Sequence, residues 1–143
     1  MAVAVAPQLL FAVWLAGSSL LGLVHRDPFW REEQVSLSEA ILRGDYGQAM
    51  RLAIEGHDLN VPYPIGRSAP PGVTEMTPLD AAAHEGEIDV VKALLRQGLV
   101  ADDAARRRAA CIAVGREAAD VAAFLVGRVV TQQECAAGAE DQR

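Results

Sequence analysis

Little in this sequence points to reaction chemistry. Its 143 residues hold two cysteines, Cys111 and Cys135, which make neither a multi-bridge framework nor a zinc spacing. Cys111 sits inside the apolar run AACIAV and reads as a small core residue. Cys135 falls in a polar tail, and CAAG there is not terminal, so it is no prenylation signal. The cysteines leave the redox compartment open. Aromatic residues are only 5% of the chain while alanine is abundant, which suits close-packed helices better than a β-sandwich. No glycine-rich phosphate loop, no GxSxG and no paired-cysteine motif occurs. HEGEID (84–89) begins like a zinc-hydrolase helix, but Ile88 stands where the second histidine ligand would be. His25, His57 and His84 are dispersed. No catalytic residue, metal site, cofactor or small-molecule substrate is expected.

Basic residues are also in short supply. Thirteen Lys and Arg against nineteen Asp and Glu give a net charge of −6, which argues against nucleic acid as a partner. The deficit is uneven, for residues 31–103 carry thirteen acids against six bases, whereas 104–143 are close to balance. An acidic surplus of that kind favours a partner with a basic surface and a salt-sensitive association. Arg106, Arg107 and Arg108 point different ways around a helix and read as a solvated face rather than a phosphate cradle.

The first 24 residues lack any charged side chain. As a helix, Ala2–Val24 would reach about 34 Å, enough to cross a hydrocarbon core of roughly 30 Å. The first reading is a single membrane anchor. The second is a cleaved export signal, with Ala16-Gly17-Ser18 as the small-residue site, and the third is a helix packed within a membrane complex. Arg26 and Arg31 follow the span and no basic residue precedes it, so the positive-inside rule favours a cytoplasmic C-terminal domain. Export would place it in the periplasm or outside the cell.

Against these absences stands TPLDAAAHEGEIDVVKALLRQG (77–98). Thr77 is an N-cap by type, Pro78 fits the first helical position and Asp80 completes a capping arrangement. Gly86 breaks this short helix. Ile88, Val90, Val91, Leu94 and Leu95 then line one face of a second helix that Gly98 ends. Such a pair cannot bury both faces alone and needs stacked copies. AILRGDYGQAMRLAIEG (40–56) is one, aligning Gly44 with Gly86 and Gly56 with Gly98, with Ser36 and Glu39 as its capping box. ARRRAACIAVGREAADVAAFLVG (105–127) is a worn third, aligned through Gly115 and Gly127.

With those residues in view, the chain resembles an ankyrin-repeat protein. The 77–98 stretch is similar to the family pattern TPLHxAAxxGxxxVVxLLLxxG over one whole repeat, and GHDLNV (56–61) resembles the segment that opens the family's β-turn finger. Asp80 replaces the usual histidine, which puts the family's inter-repeat bonding by that imidazole in question. Gly44 and Gly86 are 42 residues apart, against about 33 in the family. The extra residues fall in VPYPIGRSAPPGVTEM (61–76), a long proline-rich finger loop.

The expected fold is all-α: an ankyrin-like solenoid of about three repeats, the outer two degenerate, plus one N-terminal hydrophobic helix. The expected layout is a membrane or signal segment 1–24, a linker 25–35, a repeat domain 36–130 with the loop insertion 61–76, and a tail 131–143. The expected function is protein–protein interaction at a membrane, as an adaptor or regulator without catalysis. In the finger, Tyr63, Pro64, Ile65 and Arg67 are anchor-type residues. The resemblance adds Asp58, Asn60, Asp80 and His84 as contact residues.

Overall fold

The computed structural model describes residues 35–140. Among them are seven helices and one small hairpin: α1 Leu37–Leu42, α2 Tyr46–Ile54, β1 Tyr63–Pro64, β2 Glu75–Met76, α3 Pro78–Glu85, α4 Ile88–Arg96, α5 Asp103–Gly115, α6 Ala119–Val126 and α7 Gln132–Glu140. Consecutive helices pair as α1/α2, α3/α4 and α5/α6. The first members stack on one another in the order α1–α3–α5, and the second members stack alongside as α2–α4–α6. Among the described residues no helix is long and apolar enough to cross a membrane. The span expected at 2–24 lies outside the described residues.

Local chemistry sets several of the helix starts. Ser36, Asp45, Thr77 and Asp102 each accept, through a side-chain oxygen, the backbone N–H three residues on. That satisfies a donor the helix itself leaves orphaned. The caps expected at Ser36 and Thr77 are therefore formed, and Pro78 occupies the first turn of α3. The acidic halves of both expected capping boxes do something else. Glu39 and Asp80 turn away from their own helix starts to long-range partners, described below.

The three inter-helix turns close in the same way. Ala40, Ala82 and Ala113 are each fully buried, and each carbonyl accepts the N–H five residues on, from Asp45, Glu87 and Ala118. Before each of those donors comes a left-handed residue: Gly44 at φ 73°, Gly86 at φ 73° and Glu117 at φ 63°. The third copy is thus in a different register from the one read off Gly115. That glycine ends α5 as an ordinary helical residue, and the left-handed turn falls two residues later, at Glu117. A side chain with a Cβ in the left-handed region costs about 1–2 kcal/mol. Glu117→Gly is accordingly expected to raise stability by about 1 kcal/mol in chemical denaturation, and a loss would contradict this turn. Gly86 allows no such exchange, because an added Cβ would also lie 3.1 Å from the Ala118 Cβ.

The core runs between the two stacks. Leu37 and Ile41 from α1, Val91 and Leu94 from α4 and Val121 from α6 are its largest fully buried side chains, each contributing about 1.5–3 kcal/mol on burial. Alanines fill the closest approaches: Ala49, Ala81, Ala82, Ala83, Ala109, Ala110 and Ala113 are wholly inaccessible. On the outer row, Lys92 Nζ sits 5.6 Å from the centre of the Phe124 ring, a cation–π contact that joins α4 to a side chain still 43% exposed.

The cysteines correct the sequence reading. Cys111 on α5 and Cys135 on α7 form a disulfide with Cα atoms 5.4 Å apart and a sequence separation of 24. Neither is free, and Cys111 is half-buried rather than a core residue. The pairing places α7, within the expected tail, against α5. Arg128 adds a contact to the Glu134 carboxylate at 3.0 Å. The Thr131 N–H and that guanidinium hold the Glu134 carboxyl below its ordinary range.

Candidate partner-binding surface

The finger insertion is folded back on α1 and fastened there by three side chains. Ser36 Oγ donates to the Pro64 carbonyl at 2.6 Å, and Ser38 Oγ donates to the Met76 carbonyl at 2.7 Å. Glu39 is only 3% exposed. One of its carboxylate oxygens accepts the Gly66 N–H at 2.7 Å and the other accepts Arg43 Nε at 2.7 Å. Between these anchors Tyr63 pairs with Met76 and Pro64 with Glu75 in a two-stranded antiparallel ladder. Proline fits there because a two-stranded ribbon has only edges. Ile65 plugs the base of the loop at 8% exposure.

Burial pushes the Glu39 carboxyl upward, but the Gly66 N–H, Arg43 and Ser68 together outweigh it and hold its pKa below the ordinary 4.5. A carboxyl whose folded pKa is depressed stabilises the fold above its unfolded pKa and loses that contribution as pH falls through the folded value. Glu39→Gln is therefore expected to cost about 1.5–3 kcal/mol near neutrality, the range of a charge-assisted bond. The gap between variant and wild type should close as pH drops below about 4.5. Thermal melts from pH 7 to pH 3 check this, and a gap that stays constant would sink it.

The start of the finger is ordered too, and it is stitched to its neighbour. Asp58 Oδ1 accepts the Asn60 N–H at 2.9 Å, and the Asp58 carbonyl accepts the Tyr63 hydroxyl at 2.9 Å. Burial, then the Asp58 charge, raises the Tyr63 pKa, so its phenol remains a neutral donor. Asn60 Oδ1 accepts the Val100 N–H at 2.8 Å, across 40 residues of sequence. This bond ties the long finger to the short connection 97–102 before α5. It sets Val100, 79% exposed, beside the segment that carries Val61, 39% exposed.

The eight residues singled out from sequence divide accordingly. Pro64 and Arg67 are exposed on the finger, and Asp58 and Asn60 are exposed while also shaping it. Tyr63 is half-buried, its ring 6.3 Å from that of His57. Ile65 and Asp80 are internal supports rather than contact surface. Asp80 is 6% exposed, and its Oδ2 accepts Arg108 Nε from the next helix pair at 3.0 Å. This ion pair spans the joint where the family's histidine would act. Its other oxygen is buried and has no hydrogen-bond partner among the described residues. His84 is half-buried against Glu85 at 2.9 Å, and its carbonyl accepts Arg116 Nε. Val61 and Val100 are the residues that sequence reading passed over. No periodicity marks them, because their exposure follows from the tertiary stitch at Asn60.

The consecutive arginines go three ways: Arg106 to the Ala101 carbonyl, Arg107 to the Asp103 carbonyl and Arg108 to Asp80. A solvent-open cleft of about 320 Å³ lies between the start of α5 and the end of α6, lined by Asp103, Arg106, Arg107, Leu125, Val126 and Arg128. Among the described residues no three His, Cys, Asp or Glu side chains are grouped to hold a metal ion.

Comparison with known proteins agrees with the centre of this architecture. No curated protein and no solved structure matches the chain significantly. Residues 74–108 match the family model described as Ankyrin repeat, and they span the end of the finger, α3, α4 and the first turns of α5. The match supports an ankyrin-repeat protein and a protein–protein interaction module.

Proposed function

We propose that this chain binds a protein partner through its fingers, and that α1/α2 and α5/α6 are degenerate ankyrin repeats flanking the matched one. The observation that carries the reading is the fixed finger. Three α1 side chains and the Asn60–Val100 bond hold it, while Val61, Pro64, Arg67 and Val100 stay exposed. A loop ordered before binding forfeits less entropy on complex formation than a floppy one. Exposed valines among polar neighbours suit the centre of an interface better than a surface meant only for water. The acidic surplus of 31–103 favours a basic partner surface. Residues 2–24 hold the domain at a membrane, and the role is that of an adaptor or regulator rather than a catalyst.

The test compares captured partners for the full-length wild type, Val61→Glu/Val100→Glu, and the control Ile54→Glu, which adds a charge at a 70% exposed site at the end of α2. Capture should survive in the control and drop at least tenfold in the fingertip variant, on the order of 1.4 kcal/mol or more. Equal capture by all three would discard the fingertip reading. Binding that does not weaken with salt would discard the basic partner alone. Full-length mass and resistance to carbonate extraction would support the anchor, and a truncated soluble product would replace it with export.

A further inference from the structure

We infer that the repeat domain matures in an oxidising compartment, where the Cys111–Cys135 bond fastens α7 to the end of the stack as a covalent cap. Three observations converge. The two cysteines, 24 positions apart in sequence and on different helices, have a Cα separation of 5.4 Å, inside the range a bridge requires. Next, α7 has little else to keep it in place. It is QQECAAGAE, nine residues with a glycine near its end, too short to persist as an isolated helix in water. From Gln132 to Ala137 every side chain is exposed except the half-buried Cys135. Among the described residues the side-chain tether besides the disulfide is the exposed Arg128–Glu134 pair, and exposed pairs are weak. Finally, the last pair of a solenoid needs a covering element, and α7 lies on α5, the final member of the inner stack.

A bridge on which an element depends persists where thiols are not kept reduced: outside the cell, in the periplasm, or in the lumen of a secretory organelle. The uncharged segment 2–24 is the kind that carries a chain across a membrane, whether it is then cleaved or retained as an anchor. The bridge outweighs the orientation vote of Arg26 and Arg31, so the repeats face the oxidising side. Formation is an exchange with an oxidised disulfide-donating catalyst. The Cys111 or Cys135 thiolate attacks the donor's disulfide to give a mixed disulfide, and the second thiolate displaces the donor. Two protein thiols become one disulfide, while the donor's disulfide becomes two thiols carrying both electrons and both protons.

The test uses the full chain in its native cells. Free thiols are trapped with N-ethylmaleimide under denaturing conditions at lysis. The protein is then reduced and treated with a second maleimide of different mass. The expected result is two heavy labels on most chains, and two N-ethylmaleimide adducts would overturn the compartment. Hydrogen exchange on the purified full chain, with and without a dithiol reductant, reads the cap. Amides of 132–140 should exchange roughly tenfold faster or more after reduction, while 78–96 stay as protected as before. Unchanged protection of 132–140 would overturn the cap. Neither readout involves a partner, so failure here leaves the fingertip reading untouched.

Discussion

Leu94→Ala is expected to lower stability by about 3 kcal/mol, the middle of the range for emptying a fully buried leucine site. Leu94 is wholly inaccessible, and its carbonyl also accepts the Leu99 N–H that turns the chain toward the next pair. The core around it is close-packed and buried, so a vacated site there fills only in part. In a domain of this size the change should lower the melting temperature by on the order of 12–20 °C. Among the described residues the central pair alone has a helix pair on both sides, so a defect there should unfold the described stack in one transition. A drop under about 1 kcal/mol, or a two-step melt, would mean that the pairs are not coupled through α4.

Replacing both cysteines by serine is expected to cost about 3 kcal/mol, read as the difference in denaturation midpoint between oxidised wild type and Cys111→Ser/Cys135→Ser. The bridge closes a 24-residue span that contains all of α6 and the left-handed turn at Glu117, so it restricts the unfolded chain in the third pair. The figure follows from loop-closure entropy and is smaller to the extent that unfolded α5 and α6 stay close together. Reduced wild type should match the serine variant. A serine variant as stable as the oxidised protein would remove the bridge from any structural role.

The contrast between legible and hidden features has a physical pattern. What the 77–98 stretch announced was local: an N-cap, a proline in the first turn, a left-handed glycine and a 3.6-residue stripe. Each of these is decided within one or two turns of helix, and each is present. Ser36-x-x-Glu39 and Thr77-x-x-Asp80 were legible only by halves. The hydroxyls cap as local chemistry dictates, whereas Glu39 and Asp80 are drawn away by Gly66 and Arg108, 27 and 28 residues distant. Arg43, four residues on, also holds Glu39, but nothing that local marks the pull of Gly66 or Arg108. Gly115 misled because a glycine at the expected spacing outweighs a glutamate on propensity, yet the length of α5 fixed which residue had to turn. The disulfide depended on where α7 comes to rest, and Val100 on a bond to Asn60. Neither can be computed from a window of sequence.

Ala40, Ala82 and Ala113, each sealed and each closing the same turn, carry one more consequence. The same small buried residue and the same backbone bond close each turn, so the turns are interchangeable in principle. The joints between pairs are less uniform: a unit inserted between α3 and α5 would keep its own turn but would need an arginine opposite Asp80, as α5 supplies in Arg108. Growth of the array toward a larger partner is thus a matter of rebuilding joints, while the turns can be copied as they stand.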